Sequence, residues 1–87
     1  MNREDLLNTV LKTVGGDRQD DYGDATVSHA RIADLWTTDL GFRVLPHDVA
    51  MMMILLKASR FRTSPGKDDT LIDIVGYAVL AGEMRRE

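Results

Sequence analysis

The stretch that decides the fold is DVAMMMILLKASRF, residues 48–61. It is apolar on all sides for two helical turns before Lys57 and Arg60 appear. Pro46 suits the first turn of a helix, and Asp48 in that turn is favoured by the helix dipole. A helix without a polar face is typical of a buried element. The stretch therefore predicts the central, most buried helix, with the methionines at 51–53 as flexible core filler.

Three further helical patterns surround this element. The first has apolar residues at three- and four-residue spacing, which predicts a helix over about 3–14: Leu6, Leu7, Val10, Leu11 and Val14. Asn2 is suited to cap this helix, and Gly15–Gly16 to end it.

The second pattern predicts a helix over about 25–40, between Asp24 as N-cap and Gly41 as the terminating residue. Its apolar face is expected to comprise Val27, Ala30, Ala33, Trp36 and Leu40, widened by Ile32 and Leu35. The third predicts a helix from Asp68 or Asp69, as cap, to the end of the sequence. Gly76 lies inside that last helix, where glycine costs about 1 kcal/mol relative to alanine. This position therefore suggests close helix packing or the close approach of a ligand.

These patterns predict an all-α fold, a compact bundle of four helices forming a single helical domain over 1–87. Connections of normal bundle length join the helices, and nothing indicates a strand. A domain this small with an all-apolar central helix has more apolar surface than four short helices cover easily. We therefore expect a homo-oligomer. Phe42 and Val44, in the connection before the central helix, also suggest a partner surface.

Composition excludes several classes of function. The formal net charge is −3 and the chain has no basic stripe, which argues against general nucleic-acid binding. There is no cysteine, so disulfides and thiolate zinc sites are excluded. The longest apolar run, 49–56, is far shorter than the roughly 20 residues of a membrane span. We expect a cytoplasmic protein that does not enter the membrane.

The first polar cluster is the stretch DRQDDYGD, residues 17–24. A charged loop of this kind is either solvated or part of a ligand site. Tyr22 favours the second interpretation because its ring can stack on a flat ligand. Gly23 permits a turn that brings neighbouring groups, such as Arg18 and Asp24, close to a ligand.

The second and third clusters lie on the last two helices. Lys57 and Arg60 share a helix face and attract phosphate, with Lys67 nearby in the sequence. Asp69 and Asp73, four apart and followed by Tyr77, can bind a hard cation such as Mg²⁺. The same carboxylates can equally form salt bridges with the two cations, and both alternatives remain open.

Histidine chemistry is limited to His29 and His47. No second histidine has metal-ligand spacing with His29, and no nucleophile–His–Asp arrangement can be argued. A lone histidine is more often structural, with a ligand-binding role as the alternative. His47, in the first turn of its helix, is expected to be exposed.

Four segments in this order resemble a family of small, uncharacterised, all-α proteins of phages and prophages: DRQDDYGD, SHARIADLW, DVAMMMILLKASR and KDDTLIDIVGYAVLAGE. The resemblance covers residues 6–83. Its most specific parts are the YGD of 22–24, the K-x-x-R of Lys57 and Arg60, and the D-x-x-G-Y-A of 73–78. The chain is more distantly similar to the nucleotide modification associated domains of phages. It also resembles the all-α NTP pyrophosphohydrolases but lacks their E-E-x-x-E helix. These likenesses imply a context of nucleotides in infected cells.

We therefore expect a phage-type protein that binds a nucleotide-derived phosphorylated ligand in the cytoplasm of a bacterial host, sequestering a cyclic nucleotide signal of host defence. The expected ligand-binding residues are Arg18, Tyr22, Asp24, His29, Lys57, Arg60, Lys67, Asp73 and Tyr77. One alternative is a Mg²⁺-dependent nucleotide pyrophosphohydrolase in which Asp69 and Asp73, together with Asp21 and Asp24, hold the metal and His29 assists. Another is an interaction protein without a small ligand.

Overall fold

The computed structural model describes residues 1–16 and 24–85, together with the backbone of Asp17. Within these ranges the chain forms four α-helices and no strand: α1 Arg3–Lys12, α2 Ala25–Leu40, α3 Pro46–Thr63 and α4 Asp68–Met84. A π-helical segment, Thr13–Asp17, continues α1. The predicted all-α fold is confirmed. None of the helices in the described ranges has the length and apolarity needed to span a bilayer.

Three predicted helix ends are confirmed by their hydrogen bonds or backbone angles. The Asp5 N–H donates to Asn2 Oδ1 at 2.8 Å, and the Thr26 N–H donates to Asp24 Oδ1 at 2.8 Å. Both bonds satisfy amide groups that have no intrahelical partner at a helix start. Gly41 ends α2 in the left-handed region, with φ at 79°, where glycine carries no steric penalty.

Two predicted helix ends are wrong. The first helix does not stop before Gly15–Gly16 but runs through them as the π-helical segment, which packs against α4 through Val14. The N-cap of α4 is Lys67 and not an aspartate, because the helix begins one residue earlier than a capping Asp68 would allow. Asp68 and Asp69 instead lie in the first turn, where the helix dipole favours their charge.

The core is built where α4 packs along α3, with α1 against α4 and α2 against α3. Two groups of buried residues fill these contacts. The larger comprises Ala50, Tyr77, Leu80, Ala81 and Met84. The smaller comprises Ala33, Val44 and Val49, with Trp36 and Met53 packed against it. Met53 contacts both groups and so joins them.

The prediction that the third helix is the most buried is wrong, because α4 holds that place. Seven residues of α4 are buried, whereas α3 buries only Val49 and Ala50. Met53 packs on the core as predicted, but Met51 and Met52 are 50% and 53% exposed. The reason is geometric: α2 and α4 both pack on the side of α3 that carries Val49 and Ala50, and the opposite side has no neighbouring helix in the described chain.

The predicted apolar face of α2 is confirmed for Ala33, Ile32 and Trp36, which pack in the core, and wrong for three other members. Val27, Leu35 and Leu40 are exposed, while Ala33 and His29 are buried. The buried side of α2 is the side that packs against α3 and α4, and the polar residue His29 occupies one position on it.

Phe42 and Val44, in the connection between α2 and α3, were predicted to be exposed, and Phe42 is exposed. The partner surface stays a prediction. Val44 is buried. Its N–H donates to Thr37 Oγ1 at 2.8 Å, and the same hydroxyl donates to the Val44 carbonyl at 3.3 Å. Thr37 thus supplies both hydrogen bonds that the backbone of this buried residue needs.

Candidate functional site

The main cavity has a volume of about 300 Å³ and lies between the π-helical segment, α2, α3 and α4. Its apolar wall includes Val14, Ala25, Ile32, Val49, Met53 and Leu80. Its polar lining includes Asp24, Thr26, Ser28, His29, Tyr77 and Glu83. The cavity therefore combines an apolar interior with a few polar groups, the pattern of small-molecule sites.

Gly76 allows the π-helical segment to reach the cavity. A Cβ atom at this position would lie 3.2 Å from Val14 Cγ2, closer than side chains normally approach. The missing side chain lets Val14 press against α4 and form one wall. This close packing is one of the two explanations that the sequence offered for a glycine inside the last helix.

His29 is the buried polar residue of the cavity wall, with 7% of its surface exposed. Its Nδ1 lies 2.8 Å from the Ala25 carbonyl oxygen. A carbonyl can only accept, so Nδ1 carries the proton and Nε2 of the neutral ring is an acceptor. Nε2 is buried and has no hydrogen-bond partner among the described residues. A buried acceptor without a partner is uncommon and points to a functional role or to a group that it binds.

Tyr77 is the aromatic residue next to His29. It is 8% exposed, and the two ring centroids are 6.1 Å apart with a tilt of 59° between the ring planes. Tyr77 also lines a smaller depression of about 20 Å³ on the other side of Val14. The two predicted site residues His29 and Tyr77 are therefore brought together, although 48 positions separate their numbers, 29 and 77.

The described cavity lining is acidic. Asp24 and Glu83 contribute carboxylates, and none of the described lining residues is a lysine or an arginine. Asp24 has a second role, because its Oδ1 caps α2. Two carboxylates and the His29 acceptor favour a ligand group that donates hydrogen bonds or carries positive charge, and they disfavour a phosphate inside the cavity.

The predicted phosphate-binding cations lie elsewhere. Lys57 Nζ is 2.9 Å from Asp73 Oδ2, and the two side chains are only 16% and 24% exposed. Of the two alternatives for these clusters, the salt bridge between Lys57 and Asp73 is therefore present. Asp73 borders the smaller depression. Arg60 and Lys67 are exposed and are not among the described residues that line either cavity.

Other predicted site residues are not assembled into a centre by the described chain. Asp69 is exposed, and no group of three or more potential metal-binding residues occurs within 1–16 and 24–85. Mg²⁺ binding by Asp69 and Asp73 stays a prediction. Arg18, Asp21 and Tyr22 lie outside the described residues. His47, expected to be exposed, is partly covered and lies 3.5 Å from Asp48 Oδ1 through its Nε2.

Sequence reasoning missed Glu83 as a lining residue. Tyr77, Leu80 and Glu83 recur at three-residue spacing, and all three line the cavity. Residues three apart lie on one helix face, so the row that starts at Tyr77 carried the signal. Gly15 and Asp24 also line the cavity, which places both flanks of the segment 18–23 at its edge.

Comparisons with known proteins match nearly the whole chain. Residues 5–85 match the family described as Domain of unknown function (DUF6378). The Gene 55 protein of Mycobacterium phage L5 is 44% identical over 81 residues, which are 92% of this chain and 52% of that protein. The Gene 55 protein of Mycobacterium phage D29 is 31% identical over 75 residues, 86% of this chain and 50% of that protein. The chain thus spans about half the length of these curated relatives. No solved structure matches it.

The expected likeness to a small phage protein family is confirmed at this level. The more distant likenesses, to nucleotide modification associated domains and to NTP pyrophosphohydrolases, stay predictions.

Proposed function

The chain belongs to the DUF6378 domain family, and from its cavity we propose that it binds a nucleotide-derived ligand by enclosing one base. The observation that carries this proposal is the buried Nε2 of His29, which has no hydrogen-bond partner among the described residues, in the wall of an otherwise largely apolar cavity. The base would occupy the space between His29, Tyr77 and the apolar wall. The rest of the ligand would extend toward the rim.

Cavity size supports one ring system. Small-molecule sites range over about 300–1,000 Å³, and this cavity, at about 300 Å³, lies at the lower end. It suits a base with part of its sugar, whereas a whole dinucleotide would not fit. A cyclic dinucleotide would therefore insert one base and leave the other outside.

Hydrogen-bond chemistry narrows the choice of base. The groups of the lining that can only accept are His29 Nε2 in the neutral ring and the carboxylates of Asp24 and Glu83, whereas the hydroxyls of Thr26, Ser28 and Tyr77 can also donate. Adenine, guanine and cytosine carry an exocyclic amino group that donates to such acceptors. Uracil and thymine carry no exocyclic amino group. The amino-bearing bases are the preferred ligands on this argument. Because Nε2 is covered in the free protein, a neighbouring side chain must move slightly for the bond to form.

The phosphate of such a ligand would lie outside the cavity. The lining carboxylates repel it, and the described lining offers no cation. Arg60 and Lys67 are exposed and have no ion pair within the described chain, but they lie near the end of α3 and the start of α4, away from the lining residues Met53 and Tyr77. Their contact with a phosphate stays a prediction. Contacts with Arg18 and Tyr22 are part of the same proposal. In this function the protein would sequester a nucleotide signal in the cytoplasm of an infected bacterium.

Isothermal titration with adenosine, guanosine, cytidine and uridine, and with the corresponding monophosphates and cyclic dinucleotides, tests the proposal. We expect binding by at least one amino-bearing nucleoside, tighter than uridine. The variant His29→Leu should weaken that binding roughly tenfold, the value of one buried hydrogen bond of about 1.4 kcal/mol. The matched control is His47→Leu, since His47 is not among the described lining residues.

Two results would contradict the proposal. Folded protein that gives no heat with any compound of the panel would refute nucleotide binding. Equal affinity of the wild type and His29→Leu would refute the assigned cavity even if a nucleotide binds. Including Mg²⁺ and analysing the titrated nucleotides for hydrolysis products tests the alternative of a metal-dependent enzyme in the same samples.

A further inference from the structure

The side of α3 that faces away from the core carries a continuous apolar stripe, formed by Met51, Met52 and Leu55, with Leu56 at its edge. Leu55 is 63% exposed and Leu56 is 43% exposed. Val49, Ala50 and Met53 occupy the opposite side and pack on the rest of the chain. Exposed apolar stripes of this kind are uncommon on a monomer and mark an interaction surface.

The charges at the two ends of the stripe follow the same register. Asp48, Leu55 and Arg62 are seven residues apart, and residues at this spacing lie on nearly the same side of a helix. Asp48 is in the first turn of α3 and Arg62 in the last. The stripe therefore has a carboxylate at one end, a guanidinium at the other and Leu55 midway between them.

We propose that this stripe binds a second copy of the chain, with the two α3 helices antiparallel and a two-fold axis at Leu55. In this arrangement Asp48 of each copy lies opposite the partner's Arg62, so both ends of the contact form an opposite-charge pair. Met51 faces the partner's Ser59, and Met52 faces the partner's Ala58. Each of these methionines thus meets a small side chain, Leu55 meets its own copy on the axis, and the surface is complementary to itself, as a two-fold contact requires.

The charge pattern selects both the occupant and its direction. A parallel pair of α3 helices would place Asp48 against the partner's Asp48 and Arg62 against the partner's Arg62, which is repulsive. The cavity described above is lined by Val49 and Met53, which lie on the other side of α3, so self-association through the stripe leaves the cavity open. The exposed surface area of the four side chains in the stripe is smaller than the roughly 800 Å² that each partner buries in a standard interface. We therefore expect a dimer that dissociates in the micromolar range.

Sedimentation velocity over a wide range of protein concentration tests the association. Wild-type protein should shift from monomer to dimer as its concentration rises. Leu55→Glu should weaken the dimer roughly a hundredfold, because two apolar contacts are lost and two carboxylates meet on the axis. The matched control is Leu35→Glu on α2, where the leucine is 64% exposed. That variant should associate as the wild type does.

Cysteine cross-linking tests the geometry, because the chain has no cysteine of its own. Leu55→Cys, on the two-fold axis, should form a disulfide-linked dimer under mild oxidation. Arg62→Cys should not form one. In the antiparallel arrangement position 62 lies opposite the partner's position 48, so the two sulfurs are about 20 Å apart along the helix axis, at a rise of 1.5 Å per residue.

Each possible result tests a different part of the proposal. A monomer at all concentrations overturns the proposal. A dimer that withstands Leu55→Glu overturns the assigned surface. Equal cross-linking at positions 55 and 62 overturns the antiparallel arrangement.

Discussion

Replacing His29 by leucine should stabilise the free protein while weakening ligand binding. His29 lies in the buried row of α2, and its Nε2 has no hydrogen-bond partner among the described residues. Leucine has a similar volume and no polar atom. The substitution therefore separates two roles that are otherwise hard to distinguish: a histidine that holds the fold together and one that the fold retains for a ligand.

The expected change in the free energy of unfolding follows from three terms. Loss of the Nδ1 bond to the Ala25 carbonyl costs about 0.5–1.5 kcal/mol. Removal of a buried acceptor that has no partner stabilises the folded protein by about 1–3 kcal/mol. Leucine also has a slightly higher helix propensity than histidine, worth a few tenths of a kcal/mol. The net effect is a stabilisation of about 1 kcal/mol. For a domain of this size that is a rise of roughly 4–8 °C in Tm.

Thermal unfolding followed by circular dichroism, without ligand, measures this change. His47→Leu is the control, and we expect a shift within about 0.5 kcal/mol because that side chain is 30% exposed. A fall in Tm of several degrees for His29→Leu, with no fall for His47→Leu, would refute the reasoning. It would mean that Nε2 is satisfied in the free protein and that His29 is structural.

Three further predictions concern the scaffold and its charges. Gly82→Ala should stabilise the protein by about 0.5–1 kcal/mol in urea unfolding, since the position lies in α4 and a Cβ atom there meets nothing within 4 Å. Gly76→Ala should gain less or destabilise, because its Cβ would lie 3.2 Å from Val14 Cγ2; equal effects would contradict the close packing at Val14. Thr37→Val should cost about 1–3 kcal/mol, because the buried Val44 N–H loses its acceptor. The control Thr38→Val removes only an exposed hydroxyl and should change little; similar losses in both would show that the hydrogen bonds to Val44 are unimportant. A double-mutant cycle of Lys57→Met and Asp73→Asn should give a coupling of about 1 kcal/mol that decreases in high salt, because the pair is only partly buried. No coupling would refute the salt bridge.

The helices were predictable because their signals are local. Asn2, Asp24 and Gly41 act at the helix ends through hydrogen bonds or backbone angles within a few residues, and the structure confirms all three. The end of α1 was not predictable in the same way. Whether a chain continues through Gly15–Gly16 depends on what the next turn packs against, and the contact of Val14 with Gly76 spans more than sixty positions, from 14 to 76.

Burial was harder to predict than helicity, because it depends on which neighbours a helix receives. The apolar sequence of α3 predicts burial on all sides, but α2 and α4 pack on one side and leave Leu55 exposed. The apolar content of α4 is similar to that of α3, but contacts with α1 and α3 bury seven of its residues. The number of apolar residues in a helix thus did not determine how many of them are buried. The packing of the neighbouring helices determined that number within one copy of the chain.

The candidate site was predictable in part, for the same reason. His29 and Tyr77 were selected for their chemistry, and the fold brings them together. Lys57 and Asp73 were selected for phosphate and metal, and the fold pairs them with each other. A sequence shows which charges are present but not which of them neutralise one another. Glu83 was overlooked because its position in the row of Tyr77 and Leu80 becomes informative only when that row is known to face the cavity.

Under the proposed function, the pairing of Lys57 with Asp73 decides which part of a nucleotide would be recognised. Were Lys57 free, its charge would make phosphate the leading group, and ligands would be selected mainly by their number of phosphates. With that charge neutralised and two carboxylates in the cavity lining, hydrogen-bond donors on the base decide selectivity instead. Binding should then depend strongly on base identity and weakly on phosphate number. A ligand series that varies one feature at a time separates the two cases.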